Sequence, residues 1–259
     1  MYGGVIGDLA GSIYEYGQIK KVSKVDVKDL ICDKSFYSDD TILTMAILNS
    51  IVNNVDCEIS LRKYTKKYIN YRPDFNPYFK TAFSPSFIKW SQENRIGFSK
   101  GNGAMMRISP VGYLFDNESD VIINSRLATI PSHNSKEAED AATIIALIIF
   151  YLRKGLDKEE IIKKLKLKLN YKDFTKFNTT CADTINNCLY ALFTSNSFED
   201  SIKKVISYGG DTDTNACIVG SMAEAMYGID DNLITKAEDK LPNEFIYLLD
   251  KGYSKIKYR

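Results

Sequence analysis

The chain has 259 residues, of which 44% are hydrophobic and 26% are charged. This length and composition are those of a globular protein with a sizeable buried core. The formal net charge is +1, so the overall charge gives no reason to expect binding to nucleic acid or to a membrane surface.

The first predicted element is the glycine-rich segment YGGVIGDLAGSIYE, residues 2–15. It lacks both the GxGxxG spacing and the leading strand of a dinucleotide-binding motif. We interpret it as a helix in which Gly7, Ala10 and Gly11 let a neighbouring helix come close, because each glycine otherwise lowers helix stability by about 1 kcal/mol relative to alanine. Glu15 ends the segment, and considered alone it would be interpreted as a solvated surface acid.

The second predicted helix follows the sequence SDDT at residues 38–41. Its apolar residues recur at helical spacing: Ile42, Leu43, Ala46, Ile47 and Ile51. Helix capping and the helix dipole explain one acid at such a start, but the neighbouring carboxylates of Asp39 and Asp40 repel each other. Hard divalent cations bind carboxylate and hydroxyl oxygens and cancel this repulsion. The residues alone leave both interpretations open, a cap or part of a metal site.

Loops rich in proline, asparagine and glycine are predicted at residues 72–85 and 97–103. The GNG turn at residues 101–103 either presents backbone N–H groups to phosphate oxygens or is a plain tight turn. For Arg107, which follows it, we favour a structural role over a ligand contact. His133 is the single histidine, and its alternatives are a structural role or a hydrogen bond to a phosphate at the mouth of a site.

The second half of the chain is also predicted to be helical. Asn134 and Glu137 have capping-box spacing before the apolar run at residues 141–152, which predicts a buried core helix. Helical patterns also cover residues 183–193 and 216–226. The segment KKLKLKLNY alternates with period two, but we prefer a helix to a strand because residues 159–165 just before it are helical in pattern. The predicted class is all-α, a compact multi-helix bundle forming a single domain over residues 1–259.

The motif GGDTDTNA, residues 209–216, is a second acidic cluster at a helix start. Two such clusters in one chain are harder to explain by capping than one. Because the chain has no histidine–cysteine cluster, the implied metal is hard, Mg²⁺ or Mn²⁺ rather than Zn²⁺. Two such ions would place and polarise the hydroxyls or phosphates of a substrate.

Cysteine usage and the longest apolar run bear on location. The five cysteines form no CxxC pair, and their odd number without a secretory signal predicts reduced thiols in the cytoplasm. The apolar run is shorter than the roughly 20 residues that a membrane span requires. We therefore expect no membrane partner.

Five segments, taken in order, resemble the ADP-ribosylglycohydrolase family, which includes dinitrogenase reductase-activating glycohydrolase and the ADP-ribosyl-acceptor hydrolases. They are GVIGDLAGSIYE, SDDT, GNGAMMR, SHNSKEAEDAA and GGDTDTNACIVGSMAEAMYG, spread from Gly4 to Gly228. The resemblance implies an all-α fold with a two-metal cleft. It also implies a hydrolase that cleaves the C1″ glycosidic bond between ADP-ribose and its acceptor, with two Mg²⁺ or Mn²⁺ ions as cofactors.

The resemblance implies site residues as well. The metal ligands would be Ser38, Asp39, Asp40, Asp211, Asp213 and Thr214, whereas Thr212 is not carried over as a ligand. Glu15 would be the catalytic residue. The substrate-binding residues would be Gly101, Asn102, Gly103 and His133.

Some features depart from the family pattern or leave alternatives. Ser38 stands where many members have threonine, and KTAFSPSFIKW, ending at Trp90, lacks the glycines of a loop that shapes substrate access. The acceptor is therefore open: arginine, serine, another side chain, a nucleic-acid base or a free ADP-ribose derivative. The alternative functions are an ADP-ribose or nucleotide sensor on the same fold and a two-metal phosphoester hydrolase. We expect a monomer.

Overall fold

The computed structural model describes residues 1–18, 24–72 and 81–256, and its regular structure in these residues is helical. The helices are α1 Tyr2–Gln18, α2 Asp39–Asn53, α3 Cys57–Tyr68, α4 Pro85–Gln92, α5 Gly103–Met106, α6 Ser109–Leu114, α7 Glu118–His133, α8 Lys136–Arg153, α9 Lys158–Leu165, α10 Cys181–Phe193, α11 Phe198–Ser207, α12 Thr212–Tyr227, α13 Asp231–Glu238 and α14 Asn243–Tyr253. Two isolated β-bridges join Phe98 to His133 and Gly101 to Thr180. The all-α prediction is confirmed.

The first helix packs closely against α12, as its small residues predict. A Cβ atom added to Gly7 would lie 2.0 Å from the carbonyl oxygen of Ala216, and one added to Gly11 would lie 2.3 Å from that of Thr212. At the same contact, the Thr212 hydroxyl donates to the carbonyl oxygen of Gly11, at 2.8 Å. The contact brings the end of α1 beside the start of α12.

We expect Gly7→Ala to lower the free energy of unfolding by about 2–3 kcal/mol, in spite of alanine's higher helix propensity. Its methyl group would meet backbone atoms of α12, and overpacking of this kind typically costs about 1–3 kcal/mol or more. Gly4→Ala is the matched control, because its nearest neighbour is the Ser221 hydroxyl at 2.6 Å, a side-chain atom that can rotate away. Urea unfolding of both variants measures the difference, and equal midpoints would contradict the expectation.

The predicted core helix lies within α8. Ile145, Ile148 and Ile149 are fully buried, and α8 contacts α5, α6, α7 and α12. Burial of each such side chain contributes about 1.5–3 kcal/mol. The helix thereby supports α5 and α12, whose N-terminal ends face the cavity described below.

The cap of α8 differs from the predicted one. Ser135, not Asn134, is the N-cap, and its hydroxyl accepts a hydrogen bond from the Ala138 N–H at 3.3 Å. Asn134 instead ends α7, where its N–H donates to the carbonyl oxygen of Gly97 at 2.8 Å. Through this long-range contact, Asn134 holds the loop that precedes α5.

The preference for a helix over residues 163–171 is wrong beyond Leu165. Lys166 takes the left-handed conformation, with φ of 52°, and the Leu167 N–H closes the end of α9 on the carbonyl oxygen of Ile162. The following residues form neither helix nor strand. Leu167 and Leu169 pack against the core from this irregular segment, which explains their alternation.

The remaining predictions concern a loop, the cysteines, membrane-spanning helices, the domain organisation and the location. Pro85 begins α4 at the end of the predicted loop 72–85, of which residues 73–80 lie outside the described residues. All five cysteines are free thiols. Within the described ranges, none of the helices has the length and apolar character that crossing a bilayer requires. The single domain and the cytoplasmic location stay predictions.

Candidate active site

A cavity of about 960 Å³ lies where α1, α2, α5, α7 and α12 come together. Its volume is within the range of small-molecule sites, about 300–1,000 Å³. All of the predicted site residues except one line it: Glu15, Asp39, Asp40, Gly101, Asn102, Gly103, His133, Asp211, Asp213 and Thr214. The exception is Ser38, which is fully buried beneath the acids.

Ser38 organises the first acidic pair. As the N-cap of α2 its hydroxyl oxygen accepts from the Asp40 N–H, at 3.1 Å, and the hydroxyl donates to Asp40 Oδ2, at 3.0 Å. The Thr214 hydroxyl also donates to Asp40 Oδ2, at 3.1 Å, although the two residues are 174 positions apart. The two acidic clusters therefore meet in space.

The second acidic cluster is supported from below by Asn178. Gly209 and Gly210 have φ of 75° and 76°, which favours glycine, and a Cβ atom on Gly210 would lie 2.3 Å from Asn178 Oδ1. That oxygen accepts from the Asp211 N–H at 2.9 Å. The Asn178 amide group donates to the side-chain oxygens of Thr184 and Asn215. This buried asparagine thus sets the direction in which the chain enters α12.

Asp211 does not cap its own helix. Its Oδ2 atom instead accepts from Asn102 Nδ2, at 2.6 Å. Because the side-chain amide of Asn102 donates to this carboxylate, Asn102 orients Asp211 in the structure.

The backbone N–H groups of the GNG turn already have partners. The backbone N–H of Asn102 donates to the carbonyl oxygen of Thr179, at 3.0 Å, and that of Gly101 donates to Ser99 Oγ, at 3.0 Å. These two N–H groups would have to exchange partners to bind a phosphate.

Two groups of acids share Asp213. One consists of Asp8, Asp40 and Asp213, and the other of Glu15, Asp211 and Asp213. In each group, one oxygen of every carboxylate lies within 4.8 Å of the others. Glu15 is only 9% exposed, so the interpretation as a solvated surface acid is excluded.

Burial dominates the electrostatics of these acids. It raises the pKa values of Asp8, Glu15, Asp39, Asp40 and Asp211, and the negative charge of Asp213 is the next largest cause in each case. A hydrogen bond with Asp213 further raises the pKa of Glu15. The charged cluster is therefore unfavourable unless protons or cations neutralise it.

The repulsion among these acids is larger than the stabilisation that helix N-termini can supply. The carboxylate oxygens of each group lie within 4.8 Å of one another, and two charges at that limit repel by about 3–4 kcal/mol at an effective dielectric constant of about 20. A helix N-terminus offsets only about 0.3–1 kcal/mol, or about 2 in favourable geometry. The N-termini of α2 and α12 therefore cannot offset several such pairs. Asp8 Oδ1 and Asp40 Oδ1 are also buried without a hydrogen-bond partner, so the site fits a hard cation bound by oxygen atoms.

On another part of the cavity wall, His133 is joined to Ser132 and Arg107 by a buried chain of hydrogen bonds. Arg107, fully buried, donates from Nη2 to Ser132 Oγ at 2.8 Å and to the carbonyl oxygen of Ala128 at 3.0 Å. The Ser132 hydroxyl lies 2.7 Å from His133 Nδ1. Burial, followed by the charge of Arg107, holds the pKa of His133 well below its usual value. The imidazole is therefore neutral at pH 7.

The other ring nitrogen of His133, Nε2, lies beside the GNG turn. A Cβ atom on Gly101 or Gly103 would lie 3.5 Å from Nε2. His133 Nδ1 and the Ser132 hydroxyl share a hydrogen bond whose donor depends on the tautomer of the imidazole. His133 therefore presents a neutral ring nitrogen to this turn, as a donor in one tautomer and as an acceptor in the other.

Two buried residues of the site were missed by sequence reasoning, Asp8 and Asn178. Asp8 is the single charged residue in the segment 3–13, which otherwise consists of small and apolar residues, and that contrast is a usable signal. Asn178 carries no such signal, because asparagine is common in irregular segments and its partners are distant in sequence.

The remainder of the cavity wall includes aromatic and cationic side chains. The aromatic residues are Phe83, Phe87, Trp90, Phe98 and Phe177, and the cations include Arg95 and Lys100. The segment that ends at Trp90 therefore lines the cavity without the glycines of the family pattern. Phe98 is 72% exposed, which gives the cavity an apolar rim.

Comparison with known proteins places these features in a family context. The model of the ADP-ribosylglycohydrolase family matches residues 1–250. The ADP-ribosylarginine hydrolase Tri1 of Pseudomonas putida (strain GB-1) is 27% identical over 157 residues, which cover 55% of this chain and 42% of that protein. The ADP-ribosyl-[dinitrogen reductase] glycohydrolase of Rhodospirillum rubrum is 26% identical over 143 residues, which cover 51% and 47%.

The matched regions therefore span about half the length of these two relatives. A solved structure, described as an ADP-ribosylglycohydrolase-related protein complex, superimposes with a TM-score of 0.73. It covers 98% of this chain and 95% of that chain at 19% identity. At this identity the likeness shows the fold alone.

Proposed function

We propose that this chain, which belongs to the ADP-ribosylglycohydrolase family, removes ADP-ribose from a modified acceptor by hydrolysing the C1″ glycosidic bond. The observation that carries the proposal is the meeting of two distant acidic clusters, joined by the hydrogen bond between Thr214 and Asp40, in a cavity that also contains a buried glutamate. Two relatives are named for the removal of ADP-ribose from an acceptor, one as an ADP-ribosylarginine hydrolase and the other as an ADP-ribosyl-[dinitrogen reductase] glycohydrolase.

The proposed cofactors are two divalent cations, Mg²⁺ or Mn²⁺, held by the six oxygen-bearing residues Ser38, Asp39, Asp40, Asp211, Asp213 and Thr214. When bound, these ions neutralise the acids and polarise the hydroxyls of the distal ribose. The protein's contribution includes the direction of two of these side chains. Ser38 orients the carboxylate of Asp40, and Asn102 orients that of Asp211, whose backbone N–H is held by Asn178. Such anchoring turns a loose encounter between ribose and water into an oriented one.

Glu15 is the proposed acid or base. In the reaction the bond between C1″ and the acceptor breaks, water supplies the oxygen that joins C1″, and the acceptor leaves with a proton. Burial and the charge of Asp213 raise the pKa of Glu15 above its usual value, which favours the protonated form that a general acid requires. The nearby carboxylates stabilise positive charge at C1″, because glycoside cleavage passes through an oxocarbenium-like transition state.

The rest of the cavity is suited to ADP-ribose. In the tautomer that carries its proton on Nε2, His133 supplies a neutral hydrogen-bond donor to the diphosphate, together with the cation of Lys100. The N–H groups of Gly101 and Asn102 add donors when they exchange their present partners. Aromatic side chains such as Phe98 offer stacking area to a purine. The acids, the donors and the aromatic rim thus correspond to the diol, the diphosphate and the base of one ligand.

We expect treatment with a chelator to reduce hydrolysis of ADP-ribosylated substrates below about one-hundredth of its initial rate, because metal sites supply several kcal/mol of transition-state stabilisation. Added Mg²⁺ or Mn²⁺ should restore the rate. The assay uses arginine-, serine- and nucleotide-linked ADP-ribose as separate substrates, which also identifies the acceptor. Unchanged hydrolysis after removal of divalent ions would refute the metal mechanism.

The same preparation separates the alternative functions. Binding of ADP-ribose in calorimetry, without turnover of any linkage, would indicate a sensor. Hydrolysis of phosphoesters in preference to all ADP-ribosyl linkages would indicate a phosphoester hydrolase. A turnover of one or more ADP-ribosyl linkages that depends on divalent ions supports the proposed function.

A further inference from the structure

Asp8 joins the first helix to the first acidic pair. Its Oδ2 atom accepts three hydrogen bonds from the start of α2: from the Ser38 N–H at 2.8 Å, from the Thr41 N–H at 3.1 Å and from the Thr41 hydroxyl at 2.5 Å. Asp8 is fully buried. One carboxylate oxygen of α1 thus accepts hydrogen bonds from N–H groups at the start of α2, which have no partner within their own helix.

The other oxygen of Asp8 has no such role. Oδ1 is buried and has no hydrogen-bond partner, as is also true of Asp40 Oδ1. One carboxylate oxygen of Asp8 lies within 4.8 Å of those of Asp40 and Asp213. A structural link between α1 and α2 requires only Oδ2, and a neutral amide oxygen could accept from the same donors, although each bond would be weaker than one to a carboxylate.

The charge of Asp8 is therefore unfavourable for folding alone. Carboxylate oxygens within 4.8 Å of one another repel when charged, and a buried charge adds a desolvation penalty. Asparagine would keep the acceptor oxygen and avoid both penalties. A carboxylate at this position is explained when a cation adjoins its free oxygen.

We propose that Asp8 is a further acidic residue of the metal centre, whose Oδ2 orients the start of α2 while its Oδ1 supplies negative charge to the cation held with Asp40 and Asp213. The inference rests on the proposed function, because it assumes a cation at these acids. It adds a residue from α1, so that three helices contribute carboxylates to this half of the site.

The test is calorimetric titration of Mn²⁺ alone into chelator-treated protein, together with thermal unfolding in the absence of metal. We expect Asp8→Asn to weaken Mn²⁺ binding about 10- to 100-fold, as for other residues that support metal ligands. In the metal-free state the same variant should unfold at a temperature at least about 2–4 °C higher, because like-charge repulsion is relieved. The opposite signs of the two effects distinguish a metal role from a structural one.

Thr41→Val is the matched control. It removes the hydroxyl that donates to Asp8 Oδ2 but leaves the carboxylate charge in place, so it should lower the metal-free unfolding temperature and retain Mn²⁺ binding. Wild-type protein that binds no Mn²⁺ would overturn the metal part of the proposed function. Wild-type affinity in Asp8→Asn, or a metal-free Asp8→Asn protein that is less stable or unfolded, would overturn this inference alone.

Discussion

Replacing Asp211 and Asp213 together by asparagine is expected to abolish hydrolysis, with a fall in kcat/KM of at least about 1,000-fold. Asp213 belongs to both groups of acids, and Asp211 is held in place by Asn102 and Asn178. Loss of both charges removes the negative charge that would hold the cations, which supply several kcal/mol of transition-state stabilisation, and about 1.4 kcal/mol corresponds to a tenfold change in rate. Steady-state kinetics on the best ADP-ribosyl linkage measure the effect.

The fold should survive this double substitution, because it removes two buried like charges while the amide oxygens remain acceptors. Circular dichroism and thermal unfolding without metal check this point. The pair Asp140→Asn and Asp239→Asn changes the net charge equally at two exposed acids and should leave kcat/KM unchanged. Full activity of the Asp211 and Asp213 variant would refute the proposed centre.

Replacing Glu15 by glutamine is expected to reduce kcat by about 10²- to 10⁴-fold, the usual contribution of a positioned acid or base, with ADP-ribose binding retained. Glutamine has nearly the same shape and can still hydrogen-bond to Asp213, but it cannot exchange a proton. The side chain is 9% exposed and lines the cavity, so it borders the space proposed for the substrate. Kinetics give kcat and KM, and calorimetry with ADP-ribose gives the affinity.

Glu159→Gln provides the control, because Glu159 is an exposed residue of α9 with no part in the cavity. It should show wild-type kcat and KM. A Glu15→Gln protein with wild-type kcat would exclude Glu15 as the acid or base. Lost ADP-ribose binding with unchanged kcat at saturation would instead assign Glu15 to substrate binding.

Much of the architecture followed from local patterns. Helical spacing after SDDT predicted α2, and the apolar run within α8 predicted a buried helix, because a helix face must be covered by other apolar surface. The glycines of α1 predicted close packing, which α12 provides. These inferences succeeded because periodicity and residue size act over a few neighbouring residues.

Boundaries that depend on distant contacts were less predictable. Asn134 has capping-box spacing, yet its N–H is held by Gly97, and the cap is Ser135. The alternation of Leu167 and Leu169 reflects packing against the core rather than regular secondary structure. In both cases a tertiary contact overrides the local preference.

The sequence by itself determined which residue types were available at the site: two acid pairs with hydroxyls, a GNG turn, one histidine and a glutamate at the end of a glycine-rich segment. Only the tertiary structure decided that Thr214 reaches Asp40 and that Asn102 reaches Asp211. It also added Asp8 and Asn178 to the same site. The physical reason is that repulsion, desolvation and hydrogen bonding act through space over a few ångströms, between side chains that the chain order keeps far apart.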